Sequence, residues 1–210
     1  VQEPRPFLIG GLWQHGETVA PVNNPFTGRL LAEVSNAGSA DAETAIQSTV
    51  EAAVAMGALP SHARYHALQK IAGGLYDRRE EFARLLTAEA GKPITDAKRE
   101  VNRAVQTFTI AAEEARRIPG EVVPLDWTPG TDSHLGILRR VPIGPVLGIT
   151  PFNFPLNLVA HKVAPALAAG NSSLIKPAPQ TPLTALLLGE AVLGAGLPPG
   201  AVNILPRDNG

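Results

Sequence analysis

Two residues stand where side-chain chemistry could meet a ligand. Asn153 lies between Phe152 and Phe154 and before Pro155, where a short apolar run, VLGIT (146–150), gives way to a helical pattern. An amide at such a turn can donate to a developing oxyanion. A short polar residue there can equally cap the helix that follows. Lys176 ends a second apolar run, SLIK (173–176), and its ammonium could reach a ribose hydroxyl or a phosphate, or remain solvated. His161 and Lys162 fall inside the helical stretch after Asn153, where a lone histidine is more often packed or capped than a base.

Other chemistries are absent from the sequence. No G-x-G-x-x-G follows an expected strand, and neither H-E-x-x-H nor G-x-S-x-G occurs. The 210 residues contain no cysteine, which excludes disulfides, thiolate metal sites and a cysteine nucleophile among them; no metal site is expected. The formal net charge is −1 with both signs interspersed, so there is no basic stripe for a nucleic acid. No apolar run approaches the roughly 18 residues of a membrane span, and the opening VQEPRPFLIGG lacks the pattern of a signal peptide. A soluble, cytoplasmic protein with no membrane association is the expectation. With 44% hydrophobic and 18% charged residues, the chain can bury a sizeable core.

The elements that carry Asn153 and Lys176 follow from turn chemistry and periodicity. Between Phe7 and Val34, short apolar pieces are punctuated by Gly10-Gly11, Asn23-Asn24-Pro25 and Thr27-Gly28, which predicts small strands. Ser39, followed by Asp41 and Glu43, reads as the N-cap of a helix that stops near Gly57 and Pro60. Further helices are expected after Ser61, from Arg79 to Gly91-Lys92-Pro93, and from Ile94 to Arg117. The last places Val101, Val105, Phe108, Ala112 and Ala115 on one stripe. Residues 121–141, with Pro129-Gly130-Thr131-Asp132 at their centre, read as an exposed hairpin.

Beyond the hairpin come strand (146–150), helix (156–168), strand (173–176), helix (182–193) and strand (201–205). That alternation requires parallel pairing through right-handed crossovers, and ligands then bind beyond the carboxyl ends of the strands. Those ends are Thr150-Pro151-Phe152-Asn153 and Lys176-Pro177-Ala178-Pro179. The expected fold class is α/β: a Rossmann-like parallel sheet with flanking helices, preceded by a helical region and an exposed β-hairpin. The expected division is 1–120, 121–145 and 146–210.

The stretch from Gly144 to Pro206 closely resembles the aldehyde dehydrogenase superfamily, most of all in the run GPVLGITPFNFPLNLVAHKVAPALAAGNSSLIKPAPQTPLTAL (144–186). Weaker matches extend the resemblance along the chain: Gly10-Gly11, Asn24-Pro25, Glu89-Ala90-Gly91-Lys92-Pro93 and Glu114-Ala115. The resemblance implies an enzyme that uses NAD or NADP to oxidise a small-molecule aldehyde to a carboxylic acid through a cysteine thioester. It implies that the Asn153 amide donates to the oxyanion of the tetrahedral intermediate. Ile149, Thr150, Pro151 and Phe152 would line the nicotinamide-ribose side of the cofactor, and Lys176, with Pro177 and Pro179 after it, the adenosine ribose. The hairpin 121–145 would pack against another subunit of a homo-oligomer.

Two departures matter. Many NAD-preferring members carry a glutamate three residues after the lysine, where this chain has Pro179, so tolerance of NADP is expected. The chain also ends at Gly210, just after its third parallel strand. The glycine-containing helix under the pyrophosphate, the general-base glutamate and the nucleophilic cysteine that the resemblance implies are not among these residues. The expectation is an amino-terminal portion, inactive alone and prone to self-association. The alternative is a stand-alone nucleotide-binding or subunit-interaction module without catalysis. Arg103 and His161 could contact an anionic group on the aldehyde if their helices face the substrate tunnel.

Overall fold

The punctuated opening folds into four short strands, β1 (Phe7–Ile9), β2 (Leu12–Gln14), β3 (Thr18–Asn23) and β4 (Leu30–Asn36). The computed structural model describes residues 3–208. Val1, Gln2, Asn209 and Gly210, and with them the two outermost expected boundaries, lie outside the described residues. Four helices follow: α1 (Ser39–Ala58), α2 (Ser61–Asp77), α3 (Arg79–Ala90) and α4 (Ile94–Ala115). The cap of α1 is Gly38 rather than the expected Ser39, because Asp41 reaches back to the Gly38 N–H at 2.8 Å and sets the start one residue earlier. Helix α3 closes on Gly91 at φ 68°, the left-handed conformation that glycine adopts without strain. Helix α4 stops at Ala115, two residues before the expected end.

Helices α2, α3 and α4 bury their apolar stripes against one another through Leu68, Ile71, Leu75, Phe82, Leu86, Val101 and Phe108. Burying each such side chain contributes about 1.5–3 kcal/mol. Val105, at the edge of the α4 stripe, is half-buried. The hairpin forms as β5 (Glu121–Pro124) and β6 (Leu135–Leu138), paired antiparallel in their own two-stranded sheet.

The last third alternates as expected: β7 (Val146–Ile149), α5 (Asn157–Ala168), β8 (Ser173–Lys176), α6 (Leu183–Leu193) and β9 (Val202–Ile204). β7 pairs parallel with β8, and β8 with β9. The sheet is wider than those three strands, with order β2-β1-β9-β8-β7. β1 joins β9 antiparallel and carries β2 with it, so the first two strands complete the same sheet, while β3 and β4 pair in a two-stranded sheet of their own. Helix α1 packs against β8 and β9. At the other end β7 pairs only with β8 among the described residues, and its Leu147 and Ile149 are 63% and 62% exposed. Gly148 between them is buried. A Cβ there would stand 2.6 Å from Ile175 Cδ1 and 2.9 Å from Lys162 Cδ, so glycine lets α5 lie close on β7.

Candidate functional site

Parallel pairing brings the two expected strand ends side by side. Ile149 is the register partner of Lys176, and the Thr150 N–H donates to the Lys176 carbonyl at 3.1 Å. Thr150 is buried, whereas Ile149, Pro151, Phe152 and Asn153 face outward from the end of β7. Pro177 is buried behind the β8 end and Pro179 half-buried. Lys176 is half-buried and its ammonium is held below the usual lysine range, chiefly by desolvation, with Arg207 pushing the same way and Asp208 opposing. It is therefore not the fully solvated lysine that a strand end would allow.

The turn from β7 into α5 answers what Asn153 does not do. The first N–H groups of α5 are taken by Glu100 on α4, whose Oε1 accepts from Leu156 N at 3.0 Å and Asn157 N at 3.1 Å. The Leu158 N–H goes to the Phe154 carbonyl. No hydrogen bond of the Asn153 side chain caps the helix. The capping role is thus filled from another helix, and the exposed Asn153 amide is left without a structural task.

Lys92, just after α3, clamps the same turn from the other side. Its Nζ donates to the Asn153 carbonyl at 3.1 Å, lies 4.6 Å over the Phe154 ring and is ion-paired with Glu100. A buried carboxylate with a cation and two amide donors is the arrangement in which burial of charge is offset. Gly91 is needed here as well, since a Cβ on it would meet Pro25 at 2.8 Å.

The second βα turn is built the same way. Glu89, near the end of α3, accepts from Leu183 N and Thr184 N, each at 2.9 Å, and from the Thr184 hydroxyl at the start of α6. Burial drives the Glu89 carboxyl up to about 7 against the pull of those donors, and the charge of Glu100 pushes it the same way.

Local sequence chemistry gives Glu89, Lys92 and Glu100 no role at the site, although Glu89 and Lys92 stand within the family resemblance at Glu89-Ala90-Gly91-Lys92-Pro93. The available signal was a charge on an apolar stripe: Glu100 sits between Ala97 and Ala104 on α4, and Glu89 follows Phe82 and Leu86 on α3. Arg103, one turn after Glu100, places its guanidinium 5.9 Å from the centre of the Phe154 ring. His161 is exposed and, with Thr107, Ile110 and Pro165, lines an apolar cleft of about 390 Å³ between α4 and α5. No described group of three or more His, Cys, Asp or Glu residues could hold a metal ion. No described helix is long and apolar enough to cross a membrane.

Comparison with known proteins shows what the chain is similar to. The chain is 43% identical to 3-sulfolactaldehyde dehydrogenase of Priestia aryabhattai over 200 residues, covering 95% of this chain and 42% of that protein. It superposes on aldehyde dehydrogenase 21 of Physcomitrella patens, solved with the reaction product succinate, with a TM-score of 0.94 and 43% identity over 99% of this chain and 44% of that one. It superposes equally on NADP-dependent glyceraldehyde-3-phosphate dehydrogenase of Bacillus halodurans C-125, solved with NADP: TM-score 0.94, 32% identity, 99% of this chain and 44% of that one. The chain thus spans about two fifths of the length of these relatives. The aldehyde dehydrogenase family matches residues 13–210, nearly the whole sequence, and the chain belongs to that family.

Proposed function

We propose that these residues supply the oxyanion donor and the first part of the cofactor cradle of an NAD(P)-dependent aldehyde dehydrogenase. The observation that carries this is the unemployed Asn153 amide, exposed at the β7 end while Glu100 caps the helix behind it. In this reading the amide donates to the oxygen of the aldehyde as it becomes tetrahedral, where a fixed donor contributes more than it would in water. Lys92 and Glu100 hold the turn so that the amide need not reorganise. The nucleophile is not among these 210 residues, which contain no cysteine, so the segment alone is inactive.

The paired strand ends fit a dinucleotide. Exposed Ile149, Pro151 and Phe152, with buried Thr150 beneath them, offer an apolar bed for the nicotinamide ribose, and Lys176 with Pro177 and Pro179 faces the adenosine ribose. NAD or NADP, when bound, would supply the hydride acceptor for the oxidation, with water supplying the second oxygen of the acid. Pro179, unlike a glutamate at that position, presents no carboxylate to repel a 2′-phosphate, which favours NADP; the charges of Arg207 and Asp208 near Lys176 act in opposite directions. The hairpin β5–β6, with exposed Val122, Leu135 and Ile137, is proposed as the contact to another subunit of a homo-oligomer.

The substrate is proposed to carry a second, anionic group. Arg103 beside Phe154 stands one helical turn from Thr107, which shares the α4–α5 cleft with His161. The relatives named above act on sulfonated, carboxylated or phosphorylated compounds. In the full-length enzyme carrying this segment, Arg103→Ala should raise KM at least about tenfold for an anionic aldehyde and leave a neutral aldehyde unchanged. Equal effects on both would remove Arg103 from substrate recognition. Calorimetric titration of the 210 residues with NAD and NADP tests the cradle separately, and saturable binding without activity is expected. Dehydrogenase activity from this chain alone would overturn its proposed inactivity.

A further inference from the structure

Neither Asn153 nor Lys176 lines a second concavity of about 510 Å³, formed where the start of α2, the end of α4 and the segment after β6 meet. Four arginines line it, Arg64, Arg116, Arg139 and Arg140, and no aspartate or glutamate does. Two of the four have work within the chain. Arg64 donates through Nε to the Ala168 carbonyl at 3.1 Å and through Nη1 to the Leu59 carbonyl, closing the end of α5 onto the start of α2. Arg116 pairs with Glu113 at 2.6 Å and lies 3.8 Å over the Tyr65 ring. Arg139 and Arg140 are exposed and make no hydrogen bond or ion pair with a described residue.

Like charges gathered in one concavity repel, and the low-dielectric wall of a cleft focuses their field rather than dispersing it. Among the described residues Glu113 is the one carboxylate within ion-pair distance of the four, and it answers Arg116 while also facing Arg117. Ser61, the first residue of α2, also lines the cavity, and no side chain caps that helix, so free amide groups add to the positive field. Guanidinium groups offer paired donors that match the oxygens of phosphate. A single monovalent anion would leave most of this charge unanswered.

We propose that the cavity formed by Arg64, Arg116, Arg139 and Arg140 binds a small molecule carrying two or more phosphate groups. Inorganic pyrophosphate and a bisphosphorylated sugar present the same chemistry to it, and the volume admits either. The test is calorimetric titration of this chain with pyrophosphate and, separately, with fructose 1,6-bisphosphate, at physiological salt. Three proteins are compared: the unaltered chain, Arg139→Gln/Arg140→Gln, and Lys98→Ala/Arg99→Ala, which removes two exposed cations of α4 paired with Glu80 and Asp96.

Saturable one-to-one binding is expected, about tenfold weaker in the Arg139/Arg140 variant and unchanged in the Lys98/Arg99 variant. Tighter binding of the sugar would assign an organic ligand, and tighter binding of pyrophosphate an inorganic one. Absence of saturable binding to either probe would overturn the proposal. So would an equal loss in both variants, which would reduce the effect to net charge. Both substituted arginines are exposed, so the variants retain the core, and coincident thermal melts verify it.

Discussion

The two βα units, β7–α5 and β8–α6, solve one problem in two ways. Each helix begins without a side-chain cap of its own, and each takes its acceptor from a buried glutamate on a preceding helix. At α5 the acceptor, Glu100, also faces the Lys92 cation, and Lys92 extends to the Asn153 carbonyl. At α6 the acceptor, Glu89, meets only amides and a hydroxyl, and its carboxyl rises to about 7. The turn proposed for chemistry is therefore clamped by an ion pair. The turn proposed for cofactor binding rests on a group that burial pushes towards neutrality.

The largest effect expected is on the charged clamp. Glu100→Ala strands Lys92 and two amides, and urea denaturation of this chain should register a loss of about 3–5 kcal/mol. A loss below about 1 kcal/mol would mean that the α5 start is satisfied by water and that the two units do not differ as described. Next comes the group that the clamp presents. Asn153→Ala in the full-length enzyme should lower kcat by about 10²–10³-fold with the fold intact, as removal of an oxyanion donor does elsewhere. An unchanged kcat would return Asn153 to the ranks of ordinary turn residues.

On the β8 side the effects should be smaller. Lys176→Ala should weaken cofactor binding by about tenfold with little change in kcat, measurable as a dissociation constant. NADP should bind at least as tightly as NAD to the unaltered protein, and strong NAD preference would defeat the argument from Pro179. The smallest effect concerns pH. The folded Glu89 carboxyl, at about 7, lies above its usual 4.5, so its contribution to stability is complete below 4.5 and is lost as pH rises through 7. The melting temperature should fall by several degrees from pH 5 to pH 8. Glu89→Gln should flatten that slope, whereas an unaltered slope would assign it to other groups.

Much of this is legible in the sequence because it depends on local chemistry. Gly91 in the left-handed conformation, the stripe of α4 and the alternation from residue 146 onward each follow from residues near one another in the chain. The sequence places the start of α1 one residue late, since both Gly38 and Ser39 can cap and only the Asp41 contact to Gly38 decides between them. Local chemistry gives neither buried glutamate a role, Glu89 entering only through the family resemblance, because a helix that is polar at one position of its stripe reads as an imperfect stripe, and the partner amides lie 56 and 95 residues away.

The sequence by itself determined the element types, the parallel βα order and the placement of Asn153 and Lys176 at strand ends, since periodicity and turn residues act over a few positions. Tertiary structure alone decided that β1 and β2 complete the sheet, and that Glu100 rather than Asn153 caps α5. It also decided that four arginines from three separate regions share one cavity. These are long-range pairings, set when helices and strands pack to bury their apolar faces, and no local pattern encodes which distant polar group will be waiting there.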